Sequence, residues 1–419
     1  MFDHDSKIKS LLDELDAFIA DEIRPLESGD NARFFDQRRE YSRTDWENDG
    51  LPADDWTNLL TEARERAVKA GLYYFALPVE FGGRDGTNFE MAVIREYLAK
   101  KGLGLHCDLH SEHCIVGNNP MALVIRDFGS EQQKNEFLRK IVSGEYGISF
   151  GLTEPLHGSD ATWMETKAVP EVRGGVRGWR IDGEKMWTTG AYHASHVAVF
   201  ARTSGADGDA LGISCFLVPS GTEGLRVEER IWTFNMPADE PRISLIGLWV
   251  PDTARLGDEG RGLACAQHFV HENRIRQAAS SIGTAGYCIA ESVSYANTRV
   301  VFGRPLSRNQ AIQFPLSELH TDYTLLKNMV FSVSKQIDEM SKKEVSDKIS
   351  DVISMCNYRA NKLACDAADR AIQVHGAIGY SRQKQFEHHY RHHRRYRITE
   401  GSDEIQLRKI AGHLFKFIK

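Results

Sequence analysis

The chain has 419 residues, 41% hydrophobic and 26% charged, which excludes a disordered chain and is too long for one compact core. A net charge of -7 counts against general nucleic-acid binding, which needs a broad basic footprint. The seven cysteines (Cys107, Cys114, Cys215, Cys265, Cys288, Cys356, Cys365) form no CxxC, so they read as buried thiols of a reducing compartment, not as a disulfide frame or a metal site.

In chain order, Ile8, Leu11, Leu12, Leu15, Phe18 and Ile19 repeat at helical spacing, with Pro25 as a stop. The opening "MFDHDSKIKSLLDELD" is acidic, unlike a signal or transit peptide, and "FKFIK" at the far end carries no sorting tripeptide. No apolar run reaches the roughly 18 residues a membrane span needs. A cytoplasmic protein is expected. "WTNLLTEARERAVKAG" predicts a second helix closing at Gly71, and "FEMAVIREYLAKKG" a third. Ser130 and Gln133 have capping-box spacing before another.

Near Tyr146 the texture changes. To about Gly260, short β-rich runs such as "YGISFGL", "SHVAVFART" and "RISLIGLWV" alternate with turn residues, which predicts a small barrel or sandwich. Asp182–Gly183 carries the two-residue hairpin signal. The helical period then returns over 263–301, 309–342 and 345–375, an antiparallel bundle with a short last helix from Ser402. The expected fold is mostly α with a central β-domain, divided at 1–146, 147–260 and 261–419.

Four stretches could carry chemistry. "FGLTEPLHGSD" (Phe150–Asp160) ends a strand in a loop with Gly158 and Ser159, suited to a phosphate, a pyrophosphate or a flavin edge, but spacing alone favours a plain loop off a strand. In "GEKMWTTGAYHA", Trp187 could stack a planar ring or simply fill the core. Arg274 and Arg299 lie at opposite ends of one long helix, where each could meet an anion or only solvent. The last stretch contains "HHYRHHRRYRITEGSDEI". Its histidines are spaced as metal ligands, yet the neighbouring arginines would repel a cation, so no metal is expected. Interleaved tyrosines and arginines could suggest nucleic acid, but a basic helix face in an acidic protein more often meets phosphates or another subunit.

Taken in order, "TEPLHGSDA", "DGEKMWTTG", "NRIRQAASSIGTAGYCIAESVSYANTRVVFGRPLSRNQAI", "AIQVHGAIGY" and "ITEGSDEIQLRKI" resemble the acyl-CoA dehydrogenase family of flavoproteins over essentially the whole chain. The resemblance implies an N-terminal helical domain, a small β-barrel, a C-terminal four-helix bundle, FAD as cofactor, and a homotetramer or dimer. It implies that Phe150, Leu152, Thr153 and Ser159 line the flavin, with Trp187 against the ring system and Thr189 at its N5 edge. Arg299, Phe302, Gln373, Gly376 and Ala377 would reach the FAD of a neighbouring subunit, and Ser402 and Glu404 would touch FAD beyond the base. Arg274 would meet the CoA end of an acyl-CoA substrate, Ser159 would border that channel, and Thr399 and Gly401 would line the acyl pocket.

By the same resemblance Glu400 is the catalytic base. It takes the α-proton as the β-hydride passes to flavin N5, giving the trans-2-enoyl thioester. Some relatives place the base at the position of Asn273, and Glu272 beside it is the alternative carboxylate here. The arginines upstream of Glu400 are expected to point away from it, toward solvent or another subunit, because surrounding cations would make it a poor base. An electron-transfer flavoprotein is the implied acceptor. The rival readings are a flavin oxidase, a nitroalkane-type oxidase or monooxygenase on the same fold, and a flavin-bearing DNA-associated protein, against which the net charge argues.

Overall fold

The computed structural model describes residues 6–108, 114–117, 119–237 and 239–417. Helix α1 (Ser6–Phe18) buries Ile8, Leu11 and Leu15, the stripe that its spacing predicts. Helix α2 (Asp54–Lys69) buries Trp56, Leu59, Ala63 and Ala67 and stops just short of Gly71, which adopts a positive φ. Helix α3 (Asn88–Ala99) opens on a capping box between Thr87 and Glu90 and is buried on nearly every side. Helix α4 (Pro120–Phe128) follows, and the Ser130–Gln133 capping box forms as expected.

Eight strands make the central sheet: β1 (Ile148–Gly151), β2 (Lys167–Arg173), β3 (Val176–Lys185), β4 (His196–Arg202), β5 (Ile213–Pro219), β6 (Leu225–Arg230), β7 (Pro241–Pro251) and β8 (Arg255–Leu256). Their order is β8-β5-β4-β2-β3-β7-β6, and β1 pairs parallel to β4. Strand β4 shows why this sheet sits between two layers. Val197, Val199 and Ala201 face the core of the β-domain, while Ala198 and Phe200 pack into the helical core on the other side.

The Asp182–Gly183 hairpin does not form. β3 runs straight through both residues, and the turn is instead Gly174–Gly175, between β2 and β3, with φ values of 56° and 81°. Gly183 marks a register shift against β7, where a Cβ would lie 2.4 Å from the Thr166 hydroxyl. The glycine serves a bulge and a close approach, which the dipeptide alone does not distinguish from a turn.

Helix α5 (Gly262–Thr298) is the axis of the C-terminal part and is flanked by α3, α6 (Gln310–Glu339) and α7 (Ser350–His375). Its middle, from Ala278 to Gly286, is built of small residues interrupted only by Ile282, so its neighbours approach closely. Helices α8 (Phe386–Tyr396) and α9 (Asp403–Leu414) complete the bundle. All seven cysteines are free and buried, and among the described residues no helix is long and apolar enough to cross a membrane.

The histidines of α8 face inward. His393 bridges the hydroxyls of Ser281 (3.0 Å) and Thr284 (2.8 Å) on α5, and His392 contacts the Tyr396 hydroxyl at 3.3 Å. Burial pushes His393 and His271 down to about 3 and His106 to about 4, so all three are neutral in the folded protein at pH 7. In the unfolded chain they take up protons near pH 6.5, which the folded protein resists until much lower pH. Stability is therefore full above pH 6.5 and falls as pH drops toward 4, by up to about 1.4 kcal/mol per pH unit for each histidine. Thermal melts should show the midpoint dropping steadily between pH 7 and pH 5; a flat profile over that interval would contradict the buried neutral state.

Candidate active site

Glu400 occupies a left-handed backbone conformation, with φ of 56°, and is followed by Gly401 at φ of 93°. What holds it there is Arg274, near the start of α5. Its guanidinium donates from Nε (2.9 Å) and Nη2 (2.7 Å) to the Glu400 carbonyl oxygen. The Gln406 amide adds a third donor at 3.2 Å and also reaches the Gly401 carbonyl at 3.0 Å. A Cβ on Gly401 would come within 2.9 Å of Arg274 Nη2, so the glycine is required by the clamp as well as by its φ. Burial brings Arg274 down to about 10, against the opposing pull of Glu400, and it stays protonated at neutral pH.

The side chain of Glu400 is held separately. Asn273 donates from Nδ2 to its carboxylate at 2.9 Å. Behind this pair stands a ladder of buried amides. Asn357 donates to the Arg274 carbonyl (3.0 Å), while Asn361 donates to Asn357 (3.2 Å) and to the Tyr396 carbonyl (2.9 Å). The Tyr396 hydroxyl donates to Asp108, which is paired with Arg95 on α3. The Glu400 loop is thus tied by buried polar contacts to α5, α7 and, through Tyr396 and Asp108, to Arg95 on α3.

Two of the arginines upstream of Glu400, Arg391 and Arg397, are engaged by carboxylates of the same chain other than Glu400. Arg391 pairs with Glu40 at 2.7 Å and donates to the Phe234 carbonyl, and Arg397 pairs with Asp403 at 2.8 Å. Asp403 and Glu404 occupy the first turn of α9, and Ser402 precedes it; Thr399 is exposed. Glu272 is engaged with Arg276 (3.2 Å) and His268 (3.4 Å).

The β-domain residues gather at the ends of β1 and β3. Phe150 packs against Phe200 and against Phe269 of α5, at 4.9 and 5.1 Å between ring centres. Phe269 lies one turn before Asn273, roughly 6 Å along the axis. Phe150 and Glu400 therefore meet the same face of one helix. Trp187 is 46% exposed at a positive φ of 59°, an expensive posture for a ring left half in water. Next to it Thr188 is fully buried with its hydroxyl lacking a partner, and Thr189 donates to Glu240 at 2.7 Å. Gly158 and Ser159 sit exposed on the loop after β1. A half-bare aromatic ring, an unsatisfied hydroxyl and an open small-residue loop suit a large planar cofactor with a polar tail.

Sequence reasoning missed what shapes that loop. Glu154 and Lys185 form a buried ion pair at 2.7 Å; Glu154 also accepts from the backbone of Glu165 and Thr166, and Lys185 donates to the Leu152 carbonyl. Burial brings Lys185 down to about 8, with Glu154 opposing, and the ammonium holds the Glu154 carboxyl below its usual range against burial. A Glu three residues past the end of the strand and a Lys two residues before the tryptophan were the available signal.

Arg299, Phe302, Gln373, Gly376 and Ala377 form a second, exposed group. Stacking of Tyr295 on His375, 4.3 Å between centres, brings the ends of α5 and α7 together there. Arg299 lies roughly 37 Å from Arg274 at about 1.5 Å of helix per residue.

Three family models match the chain: the N-terminal domain of acyl-CoA dehydrogenase at residues 6–145, the middle domain at 149–240 and the C-terminal domain at 260–415. The chain belongs to the acyl-CoA dehydrogenase family. It is 31% identical over 354 residues to the human mitochondrial short-chain specific acyl-CoA dehydrogenase, covering 83% of this chain and 80% of that one. It is 28% identical over 365 residues to the caffeyl-CoA reductase-Etf complex subunit CarC of Acetobacterium woodii, covering 85% and 90%. The solved butyryl-CoA dehydrogenase of Megasphaera elsdenii superposes with a TM-score of 0.78 at 25% identity, over 99% of this chain and all of the other. This acyl-CoA dehydrogenase family member is an FAD-dependent oxidoreductase.

Two substitutions test the geometry. Arg274→Lys keeps the charge but loses the fork; flavin content should be unchanged while substrate-driven flavin reduction slows 10- to 100-fold, about 1.5–3 kcal/mol. Unaltered reduction would show the clamp to be dispensable. Glu154→Gln strands a buried ammonium and should cost about 3 kcal/mol of stability in denaturant melts, with weaker FAD retention; a loss under ~1 kcal/mol would show that Lys185 needs no charged partner.

Proposed function

We propose that the protein catalyses α,β-dehydrogenation of an acyl-CoA thioester, with Glu400 as the base. The observation that carries this reading is the two-point hold on Glu400, its carbonyl in the Arg274 fork and its carboxylate on Asn273. A surface glutamate has no need of either. Proton abstraction next to a thioester carbonyl requires a carboxylate placed to within tenths of an ångström, and a residue fixed at both ends meets that demand.

FAD, when bound, supplies the acceptor for the hydride leaving the β-carbon. Phe150, Leu152, Thr153, Ser159, Trp187 and Thr189 would hold it in this chain, with Ser402 and Glu404 near the base. Glu400 removes the α-proton, and the α,β double bond forms as the electron pair is released. The Asn273 amide keeps the carboxylate turned inward before the proton moves. Arg299 and Phe302 beyond the far end of α5, with Gln373, Gly376 and Ala377 at the end of α7, form a group roughly 37 Å along α5 from Arg274, which supports a homo-oligomer whose cofactor sites are shared between copies. With its guanidinium spent on the Glu400 carbonyl, Arg274 acts on substrate mainly by positioning the base.

An electron-transfer flavoprotein is the proposed acceptor, in keeping with a relative that is named as part of an Etf complex. That relative is also named a reductase, which favours a second reading in which the same residues run in reverse, protonated Glu400 returning a proton to the α-carbon of an enoyl thioester. Glu400→Gln should retain FAD and abolish bleaching of the flavin by acyl-CoA under anaerobic conditions; near-normal bleaching would refute the assignment.

A further inference from the structure

The two halves of the proposed reaction lie in different domains. Trp187 and Thr189 belong to the β-domain, and Glu400 belongs to the C-terminal helices. An α-proton and a β-hydride leave adjacent carbons, so base and flavin edge must keep one separation; a misplacement of about 1 Å costs on the order of 100-fold in rate. Phe150 on Phe269 joins the two domains at one point, through an apolar contact that carries little directional information. A second joint runs through the connection between β6 and β7.

That connection closes on itself, the Ile231 N–H donating to the Glu240 carbonyl at 3.3 Å. Its far end lies along the flavin-edge segment. The Thr188 and Gly190 N–H groups donate to the Pro241 and Asp239 carbonyls (3.2 and 2.9 Å), and the Thr189 hydroxyl donates to the Glu240 carboxylate at 2.7 Å. Nearer β6, the Trp232 ring N–H donates to the Asp49 carbonyl at 3.1 Å, and its ring meets Trp46 edge-on at 5.4 Å. The middle is held from α8. Arg391 donates from Nη1 to the Phe234 carbonyl (2.6 Å), with the Asn235 side chain at 3.5 Å, and from Nη2 to both carboxylate oxygens of Glu40 (2.7 and 2.8 Å). Glu387 flanks the same guanidinium, and Arg382 (2.5 Å) and His388 (3.1 Å) fix Glu40 in turn. α8 is anchored to α5 by His393, and through Tyr396 to Asp108.

We infer that Arg391 is a positioning residue that sets the distance between the flavin edge and Glu400. One guanidinium meets all three domains: Glu40 of the first, Phe234 of the second and its own helix in the third. Its planar fork fixes direction as well as distance, which a single ammonium does not. The link passes from α8 through the Phe234 carbonyl and along the β6–β7 connection to Thr188, Thr189 and Gly190, while Arg274 and Asn273 place the base from the other side. This role rests on the reading of Glu400 as the base and of Trp187 and Thr189 as the flavin edge. Arg391 touches neither, so it acts only through the segments it holds.

The test is Arg391→Lys, which keeps a cation beside Glu40 but gives up the fork. Hydrogen exchange should quicken at the amides of 188–190 and 231–237, while the thermal midpoint and exchange at 397–402 stay as in the unmodified protein. In the FAD-loaded variant, the limiting rate of anaerobic flavin bleaching by acyl-CoA should fall about 10- to 100-fold, with FAD content unchanged and the thioester dissociation constant within about threefold. Glu40→Gln, which loosens Arg391 without removing it, should give the same pattern at smaller amplitude and decides the matter if the lysine variant does not fold. Unchanged exchange at 188–190, or an unchanged limiting rate, would overturn the inference. A slower rate that comes with FAD loss or equally weakened thioester binding would overturn it too, since general destabilisation then suffices. Bleaching lost in Glu400→Gln but untouched in Arg391→Lys would remove this role and leave the dehydrogenase reading standing. Bleaching of the unmodified protein by no thioester would bring down both.

Discussion

A non-glycine residue in the left-handed region is strained by about 1–3 kcal/mol, and such strain persists only where surrounding structure over-determines it. Glu400 is such a residue, and the Arg274 fork on its carbonyl is what over-determines it. Charged hydrogen bonds contribute about 1.5–3 kcal/mol, so the fork is of the size needed to offset the strain. The rest of the C-terminal architecture serves that contact. α5 carries Arg274 and Asn273, the amide ladder on α7 fixes the turn of α5 that bears them, and α8 delivers the loop through Tyr396.

This dependence explains why so much polar chemistry is buried in one place. Asn357, Asn361, Ser281, His393, Asp108 and Arg95 lie far from water, where any unsatisfied member would be costly. A packed apolar core would be at least as stable, but it would not specify the orientation of one carboxylate. Neutral His393 on α8 carries the same trade: it lets polar groups cross-link α8 to α5 without adding buried charge, at the expense of resistance to acid.

Much of this was legible in the sequence. The stripe of α1, the capping boxes, the long α5 and the β-rich middle follow from periodicity and local turn chemistry, which act over a few residues. The Asp182–Gly183 hairpin failed because a glycine that relieves contact with Thr166 looks the same in sequence as a turn glycine. Glu400 and Gly401 stood out as a motif, but the reason for the glycine did not, because Arg274 lies more than a hundred residues upstream. The Glu154–Lys185 pair and the in-chain partners of Arg391 and Arg397 were hidden for the same reason: their chemistry is ordinary, and only the fold shows which charges meet.

The central claim is that Glu400, held at both ends, faces the α-carbon of a bound thioester. A crystal structure of the FAD-loaded protein with a non-reactive acyl thioester analogue tests it most directly. The account predicts a Glu400 carboxylate oxygen within about 3.5 Å of the α-carbon, with Arg274 still on the Glu400 carbonyl and the left-handed φ retained. A thioester bound elsewhere, or Glu400 swung into solvent with the fork broken, would contradict it.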